Sequence, residues 1–341
     1  MPTYTIGATG DYATLSIWDS ARSGSAVSGV VERAELQSQN HTESHTFSTW
    51  PEGCDIEFGA VDPQDGDIHT GARALLSGFS RFTQMAVSGL NLTVEDITFN
   101  LSGQSANSSV INLPPTGNPT LAPWSLTVRR CIANGSPEVG LNANFLYAAT
   151  DAFPGSGVLT IENSVISNIG AFYISTYGAT DTYMDITARG CTLSKSSTRM
   201  TSYSTGERIQ NISIEGCILD CSYNNDNSVE SVIEDCVTTS GSSTISSQFA
   251  TVTNVEYDVS FVDGTPASGQ VGFSSITGID FSLVDDANNV AIEHVTNGTL
   301  STDILGNARG SVADAGAYEL VASFVGTPEP VARIFYSIQL Q

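Results

Sequence analysis

Positive charge is scarce in this sequence. Lysine and arginine together number 12, and Lys195 is the one lysine, whereas aspartate and glutamate number 36 and the formal net charge is −24. A surface of this sign repels the phosphates of nucleic acids and of anionic lipids. We therefore expect no nucleic-acid partner and no binding to an anionic membrane surface.

Long apolar runs and metal-site spacings are missing as well. No stretch approaches the roughly 18 apolar residues that a membrane span needs, so no membrane insertion is predicted. The opening MPTYTIGATGDY lacks the basic and apolar regions of a signal peptide, which predicts that the chain does not use the general secretion route. No metal and no cofactor is predicted, because the cysteines show no paired ligand spacing. They are Cys54, Cys131, Cys191, Cys217, Cys221 and Cys236.

The sequence is instead rich in glycine and in hydroxyl and amide residues, arranged in a repeat. Charged residues make up only 14% of the chain and glycines number 31, which is typical of a β-rich solenoid rather than a helical bundle. One nine-residue unit occurs six times, as NLTVEDITF from Asn91, SLTVRRCIA from Ser125, VLTIENSVI from Val158, DITARGCTL from Asp185, NISIEGCIL from Asn211 and SVIEDCVTT from Ser231. Such a repeat predicts one structural unit stacked along an axis.

Apolar residues alternate within each copy, which indicates a strand with one buried face. The copies superpose on a central residue, namely Val94, Val128, Ile161, Ala188, Ile214 and Ile233. The residue three positions later is predicted to form a core column of Ile97, Cys131, Ser164, Cys191, Cys217 and Cys236. Because the central residues lie 19 to 34 residues apart, the pattern favours a coil with loops of different length, a parallel β-helix. The cysteines of the column are predicted to be reduced, with a Cys191–Cys217 disulfide as the alternative.

A second column follows directly after each central residue and is predicted to be exposed. It consists of Glu95, Arg129, Glu162, Arg189, Glu215 and Glu234. Opposite charges on neighbouring strands stabilise strand pairing by about 0.2–1 kcal/mol each, so we interpret this column as a structural charge ladder. Its last step, from Glu215 to Glu234, sets like charges side by side.

The two ends of the chain are predicted to differ from the coil. Residues 1–24 are predicted to form an N-terminal cap with a short helix in DYATLSIWDSAR, for which Asp11 is the expected N-cap. The coil is predicted over residues 25–319, with later rungs at 254–262, 278–286 and 289–295. Residues 320–341 are predicted to be an extension whose alternating strand pairs with another chain. The expected assembly residues are Val331, Ile334, Tyr336, Ile338 and Leu340.

Two phrases near the ends carry a family resemblance. The opening TIGATGDYATLSIWDSA (5–21) resembles the start of right-handed parallel β-helix proteins of tailed bacteriophages, and DILGNARGSVADAGAYE (303–319) resembles the closing motif of pectate-lyase-like β-helix proteins. The resemblance implies an all-β fold: a single-stranded right-handed parallel β-helix, or solenoid, with a short N-terminal capping helix and a C-terminal strand extension. The resemblance does not indicate one particular activity, because the superfamily includes lyases, hydrolases, epimerases, tailspikes and structural rods.

The closing motif is interpreted as a C-terminal cap rather than as a catalytic cluster. Its glycines suit tight corners, and its arginine is expected to pair with Asp303 or Asp314 on the last rung. The residues of this predicted cap are Asp303, Arg309, Asp314, Tyr318 and Glu319.

No catalytic set stands out along the coil. A glycosidase needs two carboxylates roughly 5–10 Å apart in a groove, and a lyase needs a base beside bound calcium. If the chain is an enzyme, the residues to test are Glu215, Glu234, Asp185 and Arg189, although the charge ladder already accounts for three of them. Loop aromatic residues that offer a surface for sugars, but are better explained by core or protomer contacts, are Phe172, Tyr173, Tyr177, Tyr183 and Tyr203.

Two functions therefore stay open. The first is a non-enzymatic structural protein on the virion surface of a tailed phage, a head decoration protein or short fibre. It would assemble in the host cytoplasm as a homotrimer and bind capsid or tail proteins. The second is a β-helix that binds or cleaves a host surface glycan, as a tailspike depolymerase or a polysaccharide lyase or hydrolase does.

Overall fold

The computed structural model describes residues 2–37, 40–41, 50–51, 53–60, 74–77, 81–84, 91–100, 109–112, 124–135, 144–150, 157–168, 170–176, 184–202, 209–226, 230–276, 280–296, 298–310 and 312–320. The elements in these ranges are, in chain order, β1 (Thr3–Ile6), α1 (Leu15–Arg22), β2 (Val31–Leu36), β3 (Asn40–His41), β4 (Asp55–Ala60), β5 (Ala74–Ser77), β6 (Arg81–Gln84), β7 (Asn91–Glu95), β8 (Ile97–Asn100), β9 (Ser109–Asn112), β10 (Trp124–Arg129), β11 (Ile132–Asn134), β12 (Asn144–Thr150), β13 (Gly157–Glu162), β14 (Val165–Ser167), β15 (Gly170–Thr176), β16 (Met184–Arg189), β17 (Thr192–Ser202), β18 (Ile209–Glu215), β19 (Ile218–Asp226), β20 (Glu230–Thr238), α2 (Ser242–Gln248), β21 (Thr251–Glu256), β22 (Ser260–Asp263), β23 (Gln270–Ser275) and β24 (Asp280–Leu283).

Strands β1 to β21 stack into three parallel sheets, so the prediction of a parallel β-helix is confirmed. Sheet 1 contains β1, β2, β4, β7, β10, β13, β16, β18, β20 and β21, each paired in parallel with the next. Sheet 2 contains β3, β5, β8, β11, β14 and the first residues of β17 and β19, and continues into the end of β20. Sheet 3 contains β6, β9, β12, β15 and the later residues of β17 and β19. One turn of the chain thus contributes one strand to each face of the coil.

The register of sheet 1 is the one that the repeat predicts. Val94 pairs with Val128, Val128 with Ile161, Ile161 with Ala188, and so on through Ile214 and Ile233. A slip of one residue would turn every apolar side chain out of the core, which is why the two-residue period specifies the pairing so strongly.

The core column is buried throughout. Its six residues are each at most 1% exposed. In place of a disulfide, the thiols make a chain of weak hydrogen bonds: the backbone N–H of Cys191 donates to the sulfur of Cys217 at 3.3 Å, and that of Cys217 donates to Cys236 at 3.4 Å. Among the described cysteine side chains, those of Cys54, Cys191, Cys217 and Cys236 are free thiols.

A column of left-handed residues forms the corner between sheets 1 and 2. We call it the corner column; its residues have φ values of 46° to 59° and are Asp96, Arg130, Asn163, Gly190, Gly216, Asp235 and Asn254. Glycine, asparagine and aspartate tolerate this backbone conformation best. The N–H of a corner residue donates to the carbonyl of the ladder residue on the next rung, as from Gly190 to Glu215 and from Gly216 to Glu234, both at 3.0 Å. The repeated corner therefore aims every ladder side chain in the same direction.

Helix α1 closes the N-terminal end of the core. Leu15 and Trp18 are fully buried, and the Trp18 ring lies 5.5 Å from that of Phe58. The prediction of Asp11 as N-cap is wrong, because Thr14 accepts the hydrogen bond from the Ile17 N–H. Asp11 instead accepts from Thr5, whose strand β1 already pairs with β2. The first strand of sheet 1 therefore precedes the capping helix.

Helix α2 covers the other end of the core, a role that the sequence did not reveal. Ile245 is fully buried and Phe249 is 4% exposed, and both belong to the same apolar cluster as the core column. The predicted rung at 254–262 is correct only in its first half, since β21 pairs with β20.

The later predicted rungs are wrong. Strands β22, β23 and β24 form a separate small sheet in which β23 and β24 are antiparallel. Apolar residues of the chain after β21, from Val259 to Tyr318, then pack against the outer face of sheet 2. There they form a second apolar cluster with Ile132, Val165, Ile218 and Val237. Sheet 2 is apolar on both faces for this reason, so it needs a cover and the C-terminal region supplies it.

Neither helix in the described ranges has the length and apolar character needed to cross a lipid bilayer.

Candidate functional site

At the start of the charge ladder, Glu95 is the buried centre of an ionic cluster rather than part of an exposed column. The Glu95 side chain is only 5% exposed and accepts hydrogen bonds from Arg33, Arg129 and Arg130. Arg130, from the corner column, also holds Asp96 through two hydrogen bonds of 2.8 and 2.9 Å. We call these five residues the Glu95 cluster.

Arg33 enters the cluster from two rungs away. It lies on the outward face of β2 and also contacts Glu35 at 2.9 Å and Glu57 at 3.0 Å. Its guanidinium passes over Gly59, where a Cβ atom would lie 2.6 Å from the nearest Arg33 nitrogen. A side chain at position 59 would therefore force the Arg33 guanidinium to shift from this position.

The pKa values follow from these contacts. Burial opposes the charged form of Glu95, but hydrogen bonds from Arg33 and Arg129 outweigh it and lower the pKa of the carboxyl below its ordinary value. The hydrogen bond to Asp96 is the main reason that the pKa of Arg130 is raised. Glu95 and Arg130 are therefore held in their charged forms, which suits ion pairing and not proton transfer.

The second half of the ladder is more open. Arg189 lies between two carboxylates, with its Nε 3.0 Å from Glu215 and a terminal nitrogen 3.8 Å from Glu162. Between 25% and 35% of each of these three side chains is exposed. Because solvent screens such pairs, each contributes less than the pairs around Glu95.

A cleft of about 330 Å³ opens where the C-terminal region crosses this half of the ladder. Its lining residues are Arg189, Gly190, Glu215, Gly216, Glu234, Asp235, Val295, Gly298, Thr299, Leu300, Arg309 and Ala313. One wall is thus the end of the ladder with its corner glycines, and the other is the segment 295–313. The volume is at the lower end of the range for small-molecule sites.

Three of the four residues proposed for an enzyme line this cleft, and the fourth does not. Both oxygens of Glu215 are engaged, one by Arg189 and the other by the Ser213 hydroxyl at 2.7 Å. Asp185 stands at the opposite end of β16 from Arg189 and accepts a hydrogen bond from Asn211 at 2.9 Å. Glu234 reaches the cleft from the rung after Glu215.

The closing motif lies along the side of the coil rather than on its end. The Gly316 N–H donates to the Gly216 carbonyl at 2.8 Å, and the Asn163 amide donates to the Thr302 carbonyl at 2.6 Å. The Ala317 N–H donates to the Thr192 hydroxyl on sheet 2 at 3.1 Å. The motif therefore spans several rungs of the corner, and its position follows from the two apolar faces of sheet 2.

Arg309 is the buried cation of this motif. Its side chain is 3% exposed, and its terminal nitrogens donate to the main-chain carbonyls of Asp314 and Gly316 at 2.7 and 2.6 Å. The expected pairing with the carboxylate of Asp303 or Asp314 is replaced by these carbonyls and by Glu319 at 3.4 Å. Burial lowers the pKa of Arg309, and its buried Nε atom has no hydrogen-bond partner among the described residues.

The acidic residues of the motif stabilise its backbone. Asp303 accepts from the N–H groups of Leu305 and Asn307, and Glu319 accepts from the Asp314 N–H at 3.0 Å. Burial raises the pKa of Asp314 and of Glu319. Tyr318, the remaining residue of the predicted cap, is 3% exposed and packs in the second apolar cluster.

Several predicted residues lie outside the described part of the chain. These are the assembly residues Val331, Ile334, Tyr336, Ile338 and Leu340, and the loop tyrosines Tyr177, Tyr183 and Tyr203. Among the residues that the structure describes, no three His, Cys, Asp or Glu side chains are grouped so that they could hold a metal ion.

Sequence reasoning missed three features of the site. The corner column was visible as the second residue after each central position, but only its backbone angles reveal its role. Arg33 lies outside the aligned copies, so nothing in the repeat indicated that it reaches Glu95. The run Cys131, Ile132, Ala133 was a usable signal of a strand with two buried faces, and hence of a covering segment.

No protein-family model matches this chain, and no curated protein matches it either.

Proposed function

We propose that this chain is a non-enzymatic structural protein, a rigid β-helical rod on the virion surface of a tailed phage, where it serves as a head decoration protein or short fibre. The observation that carries the proposal is that three of the four ladder glutamates, Glu95, Glu162 and Glu215, are paired with arginine. Glu95 and Asp96 are held by three arginines, and Glu215 is held by Arg189 and Ser213. The paired part of the ladder therefore stabilises the rod instead of presenting free acids.

Paired-acid catalysis needs a different arrangement. One carboxyl must hold a proton near neutral pH while the other stays ionised across a groove. In the Glu95 cluster the pKa of the carboxyl is lowered, and Asp185 is remote from the cleft. These facts favour a structural role over a depolymerase.

The assembly that we propose is a homotrimer, bound to capsid or tail proteins and formed in the host cytoplasm. Parallel rods associate readily by closed rotation. Large apolar side chains exposed on the described surface are available for such contacts; they are Ile17, Val27, Val30, Val158, Leu305 and Val312. The phage assignment itself rests on the two terminal phrases (5–21 and 303–319).

Two measurements test the proposal. Light scattering of the purified chain should give the mass of a trimer, and the protein should remain bound to phage particles through a density gradient. Incubation with capsular and pectic polysaccharides should release neither reducing ends nor unsaturated uronides. Release that is lost in the Glu215→Gln or Glu234→Gln variant would overturn the proposal in favour of an enzyme.

A second candidate function, binding of a host glycan without cleavage, is favoured by the cleft. Arg309, whose buried Nε has no acceptor among the described residues, and Glu234 line it together with Val295, Leu300 and three glycines. A hydroxyl-bearing ring offers both hydrogen-bond donors and acceptors to such a mixed polar and apolar lining. Saturation-transfer NMR with host oligosaccharides tests it: signals should be lost in Glu234→Gln and kept in Glu162→Gln, which changes the same ladder outside the cleft.

A further inference from the structure

A second cleft, of about 520 Å³, lies on the outer face of sheet 2, away from the charge ladder. One of its walls is formed by Ser194 of β17, Asp220 of β19 and Thr239, which directly follows β20. The other wall is formed by residues 259–263, which include β22, together with Ile276. The volume is within the range for small-molecule sites. No lining residue is shared with the cleft beside Glu234, so the two clefts are separate.

The first wall is a polar end of the outer face of sheet 2. Leu193 packs in the core cluster, so Ser194 beside it in the strand faces outward. On the next rung Ile218 belongs to the second apolar cluster, whereas Asp220, two residues later, lines the cleft. The Thr239 hydroxyl donates to the Asp220 carboxylate at 3.1 Å. The segment that covers sheet 2 therefore meets an apolar surface and, at the ends of the strands, a polar wall.

Hydrogen bonds hold the second wall in place. The Val259 N–H donates to the Thr238 carbonyl at 3.0 Å, which joins the covering segment to the end of β20. The carboxylate of Asp263 accepts from the Ile276 N–H at 2.5 Å, which joins the two parts of the wall. Both walls of the cleft are therefore positioned by the fold itself.

The lining of this cleft combines carboxylates with apolar side chains. The carboxylates are those of Asp220 and Asp263, and none of the described lining residues is basic. The apolar side chains are those of Val259, Phe261 and Ile276. The ring of Phe261 packs edge-to-face on that of Phe273, with 5.5 Å between the ring centroids. Two carboxylates on a chain of net charge −24 repel an anion, so the lining favours a cation that has an apolar body.

Ser194 is an independent sign of a polar ligand. The residue is 1% exposed, and its Oγ atom has no hydrogen-bond partner in the part of the chain that the structure describes. An unpaired buried hydroxyl is costly, so buried polar groups are normally hydrogen-bonded. Because Ser194 lines the cleft, a ligand with a polar hydrogen would satisfy this hydroxyl.

We propose that this cleft binds a small organic amine, with its ammonium group at Asp220, Asp263 and Ser194 and its apolar body against Phe261 and Ile276. An ammonium group has three N–H donors, and two carboxylates and a hydroxyl accept them. The apolar body takes the ring of Phe261 and the side chain of Ile276 out of water. The site lies on a different face of the coil from the ladder, so its failure would leave the proposed structural role of the rod unaffected.

Ligand-observed NMR titration of the full-length chain tests the proposal. Phenethylamine carries an ammonium group on an aromatic body, and phenethyl alcohol is its neutral counterpart of the same shape. In about 0.15 M salt, which screens the distant charges of the acidic surface, the amine should bind about tenfold more tightly than the alcohol. Equal binding of the two compounds, or binding of neither, would overturn the proposal.

Paired variants test the location of the site. Asp263→Asn keeps an oxygen that accepts from the Ile276 N–H but removes the charge, so it should weaken amine binding about tenfold. Asp285→Asn, the matched control, removes the same charge from an exposed residue outside the cleft and should leave binding unchanged. Ser194→Ala should weaken binding several-fold without lowering Tm, because its Oγ bonds to no described residue.

Two results would contradict the amine site. Equal losses in Asp263→Asn and Asp285→Asn would assign the binding to the net charge of the chain. Displacement of phenethylamine by calcium chloride, but not by the same ionic strength of sodium chloride, would assign the cleft to a metal ion.

Discussion

The two ends of the charge ladder share one register and have opposite environments. At one end Glu95 is buried among three arginines; at the other end Glu234 opens into a cleft beside Glu215. Both glutamates directly follow a buried residue of the central column and directly precede a corner residue with positive φ. The identical local setting shows that position in the repeat does not decide whether a ladder charge is buried, paired or free.

The two ends of the ladder differ in which segment of the chain crosses them from outside the repeat. Near Glu95, the missing side chain at Gly59 lets Arg33 lie across the column. Near Glu234, the segment 295–313 crosses instead, and its Arg309 is turned toward main-chain carbonyls. The first crossing completes the ion pairs of the ladder, and the second leaves a cleft.

The sharpest test of this contrast changes the same residue type at both ends. Glu95→Gln should lower the free energy of unfolding by about 3–5 kcal/mol, because it removes the buried charge that three arginines share. Glu234→Gln, the matched control, should change it by less than about 0.5 kcal/mol. Urea unfolding followed by circular dichroism measures both. Equal losses would show that the two ends are energetically alike.

The second test blocks the crossing of Arg33. Gly59→Ala should cost about 1–3 kcal/mol, since the new methyl group displaces the guanidinium from Glu95. Gly24→Ala is the control, because its methyl group would meet no atom within 4 Å. If the cost arises through Glu95, it should largely disappear when Gly59→Ala is made in the Glu95→Gln background. If the two costs simply add in the double variant, the cost of Gly59→Ala does not arise through Glu95.

The third test uses pH. The pKa of Glu95 is lower in the folded chain than its ordinary value of 4.5, so its ionised form stabilises the fold above pH 4.5. That contribution is lost as the pH falls through the lowered value. The difference in unfolding free energy between wild type and Glu95→Gln should therefore be full at neutral pH and shrink below pH 4.5. A difference that stays constant down to acid unfolding would exclude the ion pairs as its source.

The smallest effect is expected in the open half of the ladder. Glu215→Gln keeps the bond to Ser213 and loses only the partly exposed pair with Arg189, so it should cost less than about 1 kcal/mol. Added salt should reduce this cost further, because it screens exposed pairs. Glu162→Gln, which changes the carboxylate on the other side of Arg189, is the control. A large, salt-insensitive loss for Glu215→Gln would make the two halves of the ladder alike.

Much of the coil could be predicted because its information is local. Strand alternation specifies which face is buried, and the common phrase specifies the pairing from Val94 to Ile233. The N-terminal helix was also predictable, although Thr14 rather than Asp11 caps it. The capping role of α2 was not, because SSTISSQ has one buried residue, Ile245, and no side-chain cap to mark it.

The candidate site was less predictable because its parts come from distant positions. Arg189, Glu215 and Glu234 were identified as residues to test, but the cleft exists only because segment 295–313 turns back onto them. Arg309 was assigned to a cap on the last rung, since its chain neighbours are glycines and acids that suit a corner. Its actual place depends on the outer apolar face of sheet 2.

The amino-acid order alone therefore settled the repeat, the inward and outward columns and the parallel β-helix, because a two-residue period leaves a strand only one face to bury. Tertiary structure alone decided that Glu95 is buried, that the closing motif lies along the side of the coil, and that a cleft opens beside Glu234. The physical reason is that burial and pairing of a charge depend on which distant segment covers it, and a local pattern carries no information about that partner.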